Sequence, residues 1–293
     1  DFFRYVMNGS KGTRMPRGDK NHILEFPIPS FDKETQIRIT KVLSDIDYKI
    51  ELNNKIITEL EAMAKLIYDY WFMQFDFPDE NGKPYKSSGG KMVYSEELKR
   101  EIPKGWESKC LSQFIDVGTE TIDPASYPHE NFGLYSISSY DKYKSFEIKL
   151  AEDVHSGKFC VDKECILVSK LNPKFLRVIF ATKDNLFCST EFVVWKSRNS
   201  AFKSFQYMIA VSASFRAYCL NGATGTSNSH KRVQREYMMD FKVPFQTDLV
   251  QRFGDLLNAK LTKINRNITE NKELIKLRDW LLPMLMNDQI KVR

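Results

Sequence analysis

The chain has 293 residues, enough for one large domain or two. Its 44 basic and 38 acidic side chains leave a net charge of +6, a modest excess that does not by itself point to nucleic acid. A hydrophobic share of 42% with 28% charged residues excludes a disordered or collagen-like chain and can supply a sizeable core. No apolar run approaches the roughly 20 residues of a membrane-spanning helix, and no secretory h-region is present, so a cytoplasmic protein is expected. The chain opens at Asp1 without an initiator Met, inside a segment that already looks folded, and is read as a piece of a longer protein.

In chain order, residues 1–31 carry K-G-T-R (Lys11 to Arg14), a basic stretch, and F-P-I-P ending at Pro29. Residues 33–72 then show apolar positions in steps of mostly 3, 4 and 7, among them Ile39, Leu43, Ile46, Ile50, Ile57, Leu60 and Ala64. This is the seam spacing of a helix that packs along another helix. Asp32 is the expected N-cap, and about 40 residues at 1.5 Å each give a rod of about 60 Å. Trp71 and Phe72 at its end are expected to anchor it to a globular domain or to a partner. Residues 76–105 read as a connector rich in Pro, Gly, Ser and Lys.

I-P-K-G-W (Ile102 to Trp106) opens a mixed segment that runs to Pro244. Its β-rich runs are residues 134–138, 165–169, 177–181 and 191–195, and residues 202–218 read as one helix. A second long periodic stretch covers residues 247–284, with Thr247 or Asp248 as its cap and Pro283 in its last turn or ending it. The fold class is α+β: a globular domain flanked by two long helices that pack as an antiparallel coiled pair.

The two long stretches look like copies of one unit. The first follows K-G-T-R and F-P-I-P; the second follows T-G-T-S (Thr224 to Ser227) and F-K-V-P ending at Pro244. Pro29 to Pro244 is 215 residues, Gly12 to Gly225 is 213, and I-E-L-N-N from Ile50 resembles I-N-R-N-I from Ile264, 214 residues on. So long a period is no solenoid; it describes a duplicated globular domain followed by a long helix. The chain holds the tail of one copy and all of the next.

Charge is uneven along the domain. Residues 107–169 hold 6 basic and 11 acidic side chains, whereas residues 170–235 hold 11 basic and 2 acidic, a net +9. Such a lobe suits phosphate contact, although an unevenly charged solvated surface would look the same. The five cysteines include no CxxC pair and read as reduced thiols, and the four scattered histidines give no local support for a zinc site.

Three motifs carry the candidate chemistry. V-S-K-L-N-P-K-F-L-R (Val168 to Arg177) offers Lys170, Asn172, Lys174 and Arg177 as donors to phosphate or base edges. C-S-T-E-F runs from Cys188 to Phe192. G-A-T-G-T-S-N-S-H-K-R (Gly222 to Arg232) is a Gly-rich turn with Thr226, Ser227 and Asn228 followed by Lys231 and Arg232. It lacks Walker A spacing, so nothing supports ATP. These two loops are expected to share one DNA-facing surface, with Asn172 or Arg177 as the base reader.

A domain opened by I-P-x-G-W, with S-K-x-N-P and S-T-E-F, closed by a G-T-S turn and F-x-V-P, followed by a long helix and duplicated, resembles the specificity subunit of type I restriction-modification systems. The resemblance covers essentially the whole chain. It implies a remnant of a first target-recognition domain at 1–31, a spacer helix at 32–75, a connector at 76–105, a target-recognition domain at 106–244, and a second spacer helix at 245–293. It also implies double-stranded DNA as ligand. Modification subunits carrying S-adenosylmethionine and the adenine methyltransferase site would dock on it, and restriction subunits would join them. With the first recognition domain largely missing, one half-site is read; an intact pair would need either the missing residues or a second copy of this chain, a homodimer through the long helices.

No catalytic, cofactor or metal residue is expected in the chain itself. N-P-K-F (Asn172 to Phe175) departs from the adenine methyltransferase N-P-P-Y/F loop, and no F-x-G-x-G precedes it. The rival readings are a Mg²⁺-dependent nuclease using Asp141, Glu147 and Lys149, and an adaptor that binds only protein.

Overall fold

The structure, a computed structural model, describes residues 2–10, 17–225 and 231–292. It divides into two compact units, Asp1–Glu51 with Glu273–Arg293, and Leu52–Lys272. In the first, short helices Phe2–Asn8 and Lys20–Leu24 meet through Tyr5 stacked on His22 at 4.1 Å, and Asp47 pairs with Arg278 at 2.9 Å.

The first long helix spans Lys33–Tyr68 and continues as a π-helical turn, Asp69–Met73. Asp32 caps it, its Oδ1 accepting from the Thr35 N–H at 2.8 Å. The wider turn carries an extra residue and re-phases the helix face. As a result Tyr68, Trp71 and Phe72 are all buried. The second long helix spans Thr247–Met286. Gln246, rather than Thr247 or Asp248, caps it: its side-chain oxygen accepts from the Leu249 N–H. Pro283 lies inside its last turns and does not end it. So near a terminus, one missing N–H costs little helix.

Within Leu52–Lys272 the helices pair antiparallel. Asn53 donates to Asn271 and Glu270, both at 2.9 Å, and Asn271 donates to Asn54 at 2.8 Å. Ile57, Leu60, Ala64 and Tyr68 share one apolar core with Ile268, Ile264, Leu261 and Leu257. Buried amides in such a seam select one register, because a slip of one turn would leave them unsatisfied against apolar side chains.

The same core runs on into the globular domain. Phe72 lies 4.5 Å from Phe205 and 5.2 Å from Phe253, and Phe75 packs on Trp106 at 5.4 Å. The aromatic end of the first helix is therefore an anchor in the domain. Trp280, near the end of the second, is half exposed. Lys272 is buried, donates to the Phe146 carbonyl at 2.6 Å and lies over that ring.

Two stacked sheets build the domain. One has the antiparallel order Val178–Phe180, Cys165–Ser169, Phe192–Ser197, Ile115–Gly118. The other has the order Thr121–Ile122, Lys158–Val161, Leu186–Cys188, Asn131–Tyr135, Glu147–Leu150. There Leu186–Cys188 runs parallel to Asn131–Tyr135, and the remaining pairs are antiparallel. Side chains of Cys165–Ser169 alternate between two cores. Ile166 and Val168 join the core shared with the helices, and Cys165 and Leu167 join Tyr135, Phe146 and Leu186 of the second sheet. A strand covered on both faces reads as the unbroken apolar run C-I-L-V.

Local chemistry moves some expected boundaries. The strand expected at 134–138 is Asn131–Tyr135, because Ser136 caps a helix, Ile137–Tyr143, through its Oγ and the Ser139 N–H at 3.0 Å. The single helix expected over 202–218 is two, Lys203–Val211 and Ala213–Asn221. Ser212 separates them with extended backbone, and its Oγ accepts from the Phe215 N–H at 3.2 Å. Residues 76–105 contain a hairpin, Met92–Ser95 with Arg100–Pro103, and Asp76 binds both the N–H and hydroxyl of Ser87.

Gly254 sits where the second long helix crosses Ala201. A Cβ there would lie 1.7 Å from the Ala201 carbonyl oxygen. In an open helix Gly→Ala stabilises by about 0.5–1 kcal/mol. Here Gly254→Ala is expected to destabilise by about 1–3 kcal/mol, because the helix must move off the domain. Urea unfolding checks the sign, and a rise in the midpoint would refute the close crossing.

Candidate nucleic-acid interface

The S-K-x-N-P loop leaves the central strand at Ser169 and returns at Arg177. Asn172 takes a left-handed conformation (φ 48°), which Asn adopts more readily than most residues. Pro173 then starts a 3-10 turn, Pro173–Phe175, closed by the Phe175 N–H on the Asn172 carbonyl at 2.9 Å. At the base of the loop the Arg177 N–H donates to Ser169 Oγ at 3.2 Å.

This loop is zipped to the segment that follows the Gly-rich turn. The Asn172 N–H donates to the Lys231 carbonyl at 2.7 Å, and the Val233 N–H to the Lys170 carbonyl at 3.1 Å. S-T-E-F joins them: the Lys170 N–H donates to the Glu191 carbonyl at 2.8 Å, and the Glu191 carboxylate holds Arg232 through Nη2 at 2.9 Å and Nε at 3.0 Å. Three motifs far apart in the chain thus form one ledge. Thr226, Ser227 and Asn228 lie outside the described residues.

The cations on this ledge divide by chemistry. Arg177 grips Asp141 with both arms of its fork, Nε at 2.7 Å and Nη2 at 2.8 Å, and its side chain is only 13% exposed. Its Nη1 donates to the Phe175 carbonyl at 3.3 Å. Arg232 is held by Glu191. These hydrogen bonds raise both guanidinium pKa values, and Arg177 lowers that of Asp141. Lys170, Lys174 and Lys231 form no salt bridge among the described residues. Lys170 adds a smaller pull to the lowered carboxyl of Glu236, which is set first by Arg235.

Sequence reasoning left three residues without their roles. Glu191 stood in a motif but had no function, and here it ties two loops together. Asp141 was a rival metal ligand, and it is the partner of Arg177. Phe175, the one aromatic of its loop, is 57% exposed beside Lys174. A cleft of about 1000 Å³ opens beside it, lined among others by Tyr140, Lys144, Tyr207 and Arg216. The remaining nuclease candidates, Glu147 and Lys149, pair with each other at 3.2 Å.

No family model matches the chain. Over 98% of its length it is 23% identical to the type I restriction enzyme MjaIX specificity subunit of Methanocaldococcus jannaschii, of which the match covers 66%. A 76-residue stretch is 32% identical to the type I restriction enzyme HindI specificity subunit of Haemophilus influenzae, covering 26% of this chain and 16% of that protein. The crystal structure of the type I restriction-modification S subunit from M. genitalium shares the fold, with a TM-score of 0.56 over 97% of this chain and 72% of that one at 16% identity. Over nearly its whole length the chain is similar to type I restriction-modification specificity subunits. It spans just under two thirds of the M. jannaschii specificity subunit and a smaller share of the H. influenzae one. No helix among the described residues is long and apolar enough to cross a membrane.

One ion pair bracing this loop, Arg177 with Asp141, gives it an acid limb. Arg177 holds the Asp141 carboxyl below its ordinary 3.8. A carboxyl depressed on folding stabilises the fold above that ordinary value, and the contribution is lost as pH falls through the lowered one. Asp141→Asn should therefore lose less stability than the parent as pH falls below the ordinary carboxyl value of 3.8. Thermal unfolding across that window measures it; identical acid limbs would mean the pair does not hold the loop.

Proposed function

We propose that this chain is a type I restriction-modification specificity subunit that binds double-stranded DNA and reads one half of a bipartite target through the domain at 106–244. What carries the reading is the ledge itself: three motifs are joined by backbone hydrogen bonds, with three lysines outside any salt bridge among the described residues. DNA needs such a track of positive charge, and lysine serves it as a point charge for phosphate. Lys170, Lys174 and Lys231 grip phosphates, and Thr226, Ser227 and Asn228 of the Gly-rich turn donate to them. Asn172, held at a fixed backbone position, offers its amide to an adenine edge. Arg177 and Arg232 shape the ledge from their carboxylate pairs.

The rest of the proposed assembly is supported by the likeness to type I restriction-modification specificity subunits. The paired long helices set the spacing between half-sites and scaffold modification subunits, which carry S-adenosylmethionine and methylate adenine. Restriction subunits complete the cytoplasmic complex. A second copy joined through the long helices would supply the other half-site. The chain performs no catalysis of its own.

Binding titrations on cognate and scrambled duplexes, at two salt concentrations, test this with the chain in complex with its modification subunits. Lys170→Ala, Lys174→Ala and Lys231→Ala should each weaken binding to every sequence alike and lower the salt slope by about 1. Asn172→Ala should cost about 1–3 kcal/mol on the cognate half-site and little on the scrambled one. If all four variants bind like the parent, the ledge does not face DNA.

A further inference from the structure

Phe175 and Ile148 are the most exposed large apolar side chains described in 106–244, and Phe175 is the aromatic one. It is 57% exposed, yet both its backbone N–H and its carbonyl are hydrogen-bonded. Its N–H closes the 3-10 turn on the Asn172 carbonyl, and its carbonyl accepts from Arg177 Nη1 at 3.3 Å. Arg177 is itself locked onto Asp141, and Asn172 is locked onto the Lys231 backbone. A ring left in water by a floppy loop would need no explanation. A ring held in water by a braced loop is pre-organised for contact, because the entropy of placing it is already lost on folding. The ring sits one residue from Lys174 and three from Asn172, inside the proposed DNA ledge.

Lys174 Nζ lies 5.7 Å from the Phe175 ring centroid. A wedge between base pairs needs both ring faces free to stack, and the ammonium occupies one. The free face and edge remain for a one-sided apolar contact. In the major groove the apolar feature on a base edge is the thymine 5-methyl group.

We propose that Phe175 is a specificity-determining residue that packs its ring against a thymine methyl group of the half-site, while Lys174 beside it takes the adjoining phosphate. This deepens the DNA-recognition reading and rests on it. The contact distinguishes thymine from cytosine at one base pair without a hydrogen bond, and it complements Asn172 in the same loop.

The test pairs the side chain with the methyl group. The chain, in complex with its modification subunits, is titrated with the cognate duplex and with duplexes in which each thymine in turn is replaced by deoxyuridine. Phe175→Ala and Phe175→Leu are titrated on the same set; the ring is exposed, and unchanged thermal midpoints confirm intact folds. One replacement should weaken the parent about fourfold, the worth of one buried methyl group. Phe175→Ala should be indifferent to that replacement, and Phe175→Leu should keep part of the effect. The inference is overturned if parent and Phe175→Ala respond equally to every replacement, or if Phe175→Ala weakens all duplexes by one common factor. A parent that binds cognate and scrambled duplexes alike would instead sink the DNA-recognition reading, and this inference with it.

Discussion

Phe72, Phe205 and Phe253 meet at ring separations between 4.5 and 6.5 Å, and they come from the first long helix, the globular domain and the second long helix. Each is almost wholly removed from solvent. A helix of 36 or 40 residues with a narrow apolar seam has little to hold it against a sheet domain. Three phenylalanines in one cluster couple the helix pair to the domain by area alone, since aromatic side chains bury 150–250 Å² each. The π-helical turn at Asp69–Met73 is the local adjustment that makes this possible, because an unbroken α-helix would turn some of these rings outward. The domain's orientation on the helix pair in Leu52–Lys272 depends on this cluster.

The seam above it supplies direction rather than strength. Apolar side chains alone tolerate a slide of one turn, because leucine and isoleucine pack nearly as well against each other's neighbours. Asn53 and Asn271 do not tolerate it, since a buried amide without a partner costs about 1–3 kcal/mol. A long helix pair offers several registers of similar apolar fit, and two buried asparagines are a small polar means of selecting one.

On the proposed DNA ledge the same division between holding and contacting separates arginine from lysine. A planar guanidinium matches a carboxylate at two points and stays charged, so Arg177 and Arg232 serve as internal fasteners. An ammonium on a flexible stem makes no such fork, and the lysines remain outside these pairs. The positive segment counted along residues 170–235 is thus less positive than its net +9 suggests, because Asp141, Asp162 and Asp116 from outside it pair with Arg177, Lys196 and Arg198.

Much of this protein was legible in the amino-acid order because it depends on spacing along the chain. Apolar steps of 3, 4 and 7 marked both long helices, and the β-rich run at 165–169 marked the strand Cys165–Ser169. The split of residues 202–218 at Ser212 and the cap at Gln246 were not legible, since a side chain that competes for backbone N–H groups declares itself only in its final geometry. Nor was the division of labour at the ledge. Glu191 and Arg232 are 41 residues apart and Asp141 and Arg177 are 36 apart, so only the tertiary fold, through the loop-to-loop backbone bonds and the packing of the sheets, decides which carboxylate meets which cation. Local periodicity is written residue by residue, whereas charge pairing across a fold exists only after the hydrophobic layers have set the distances.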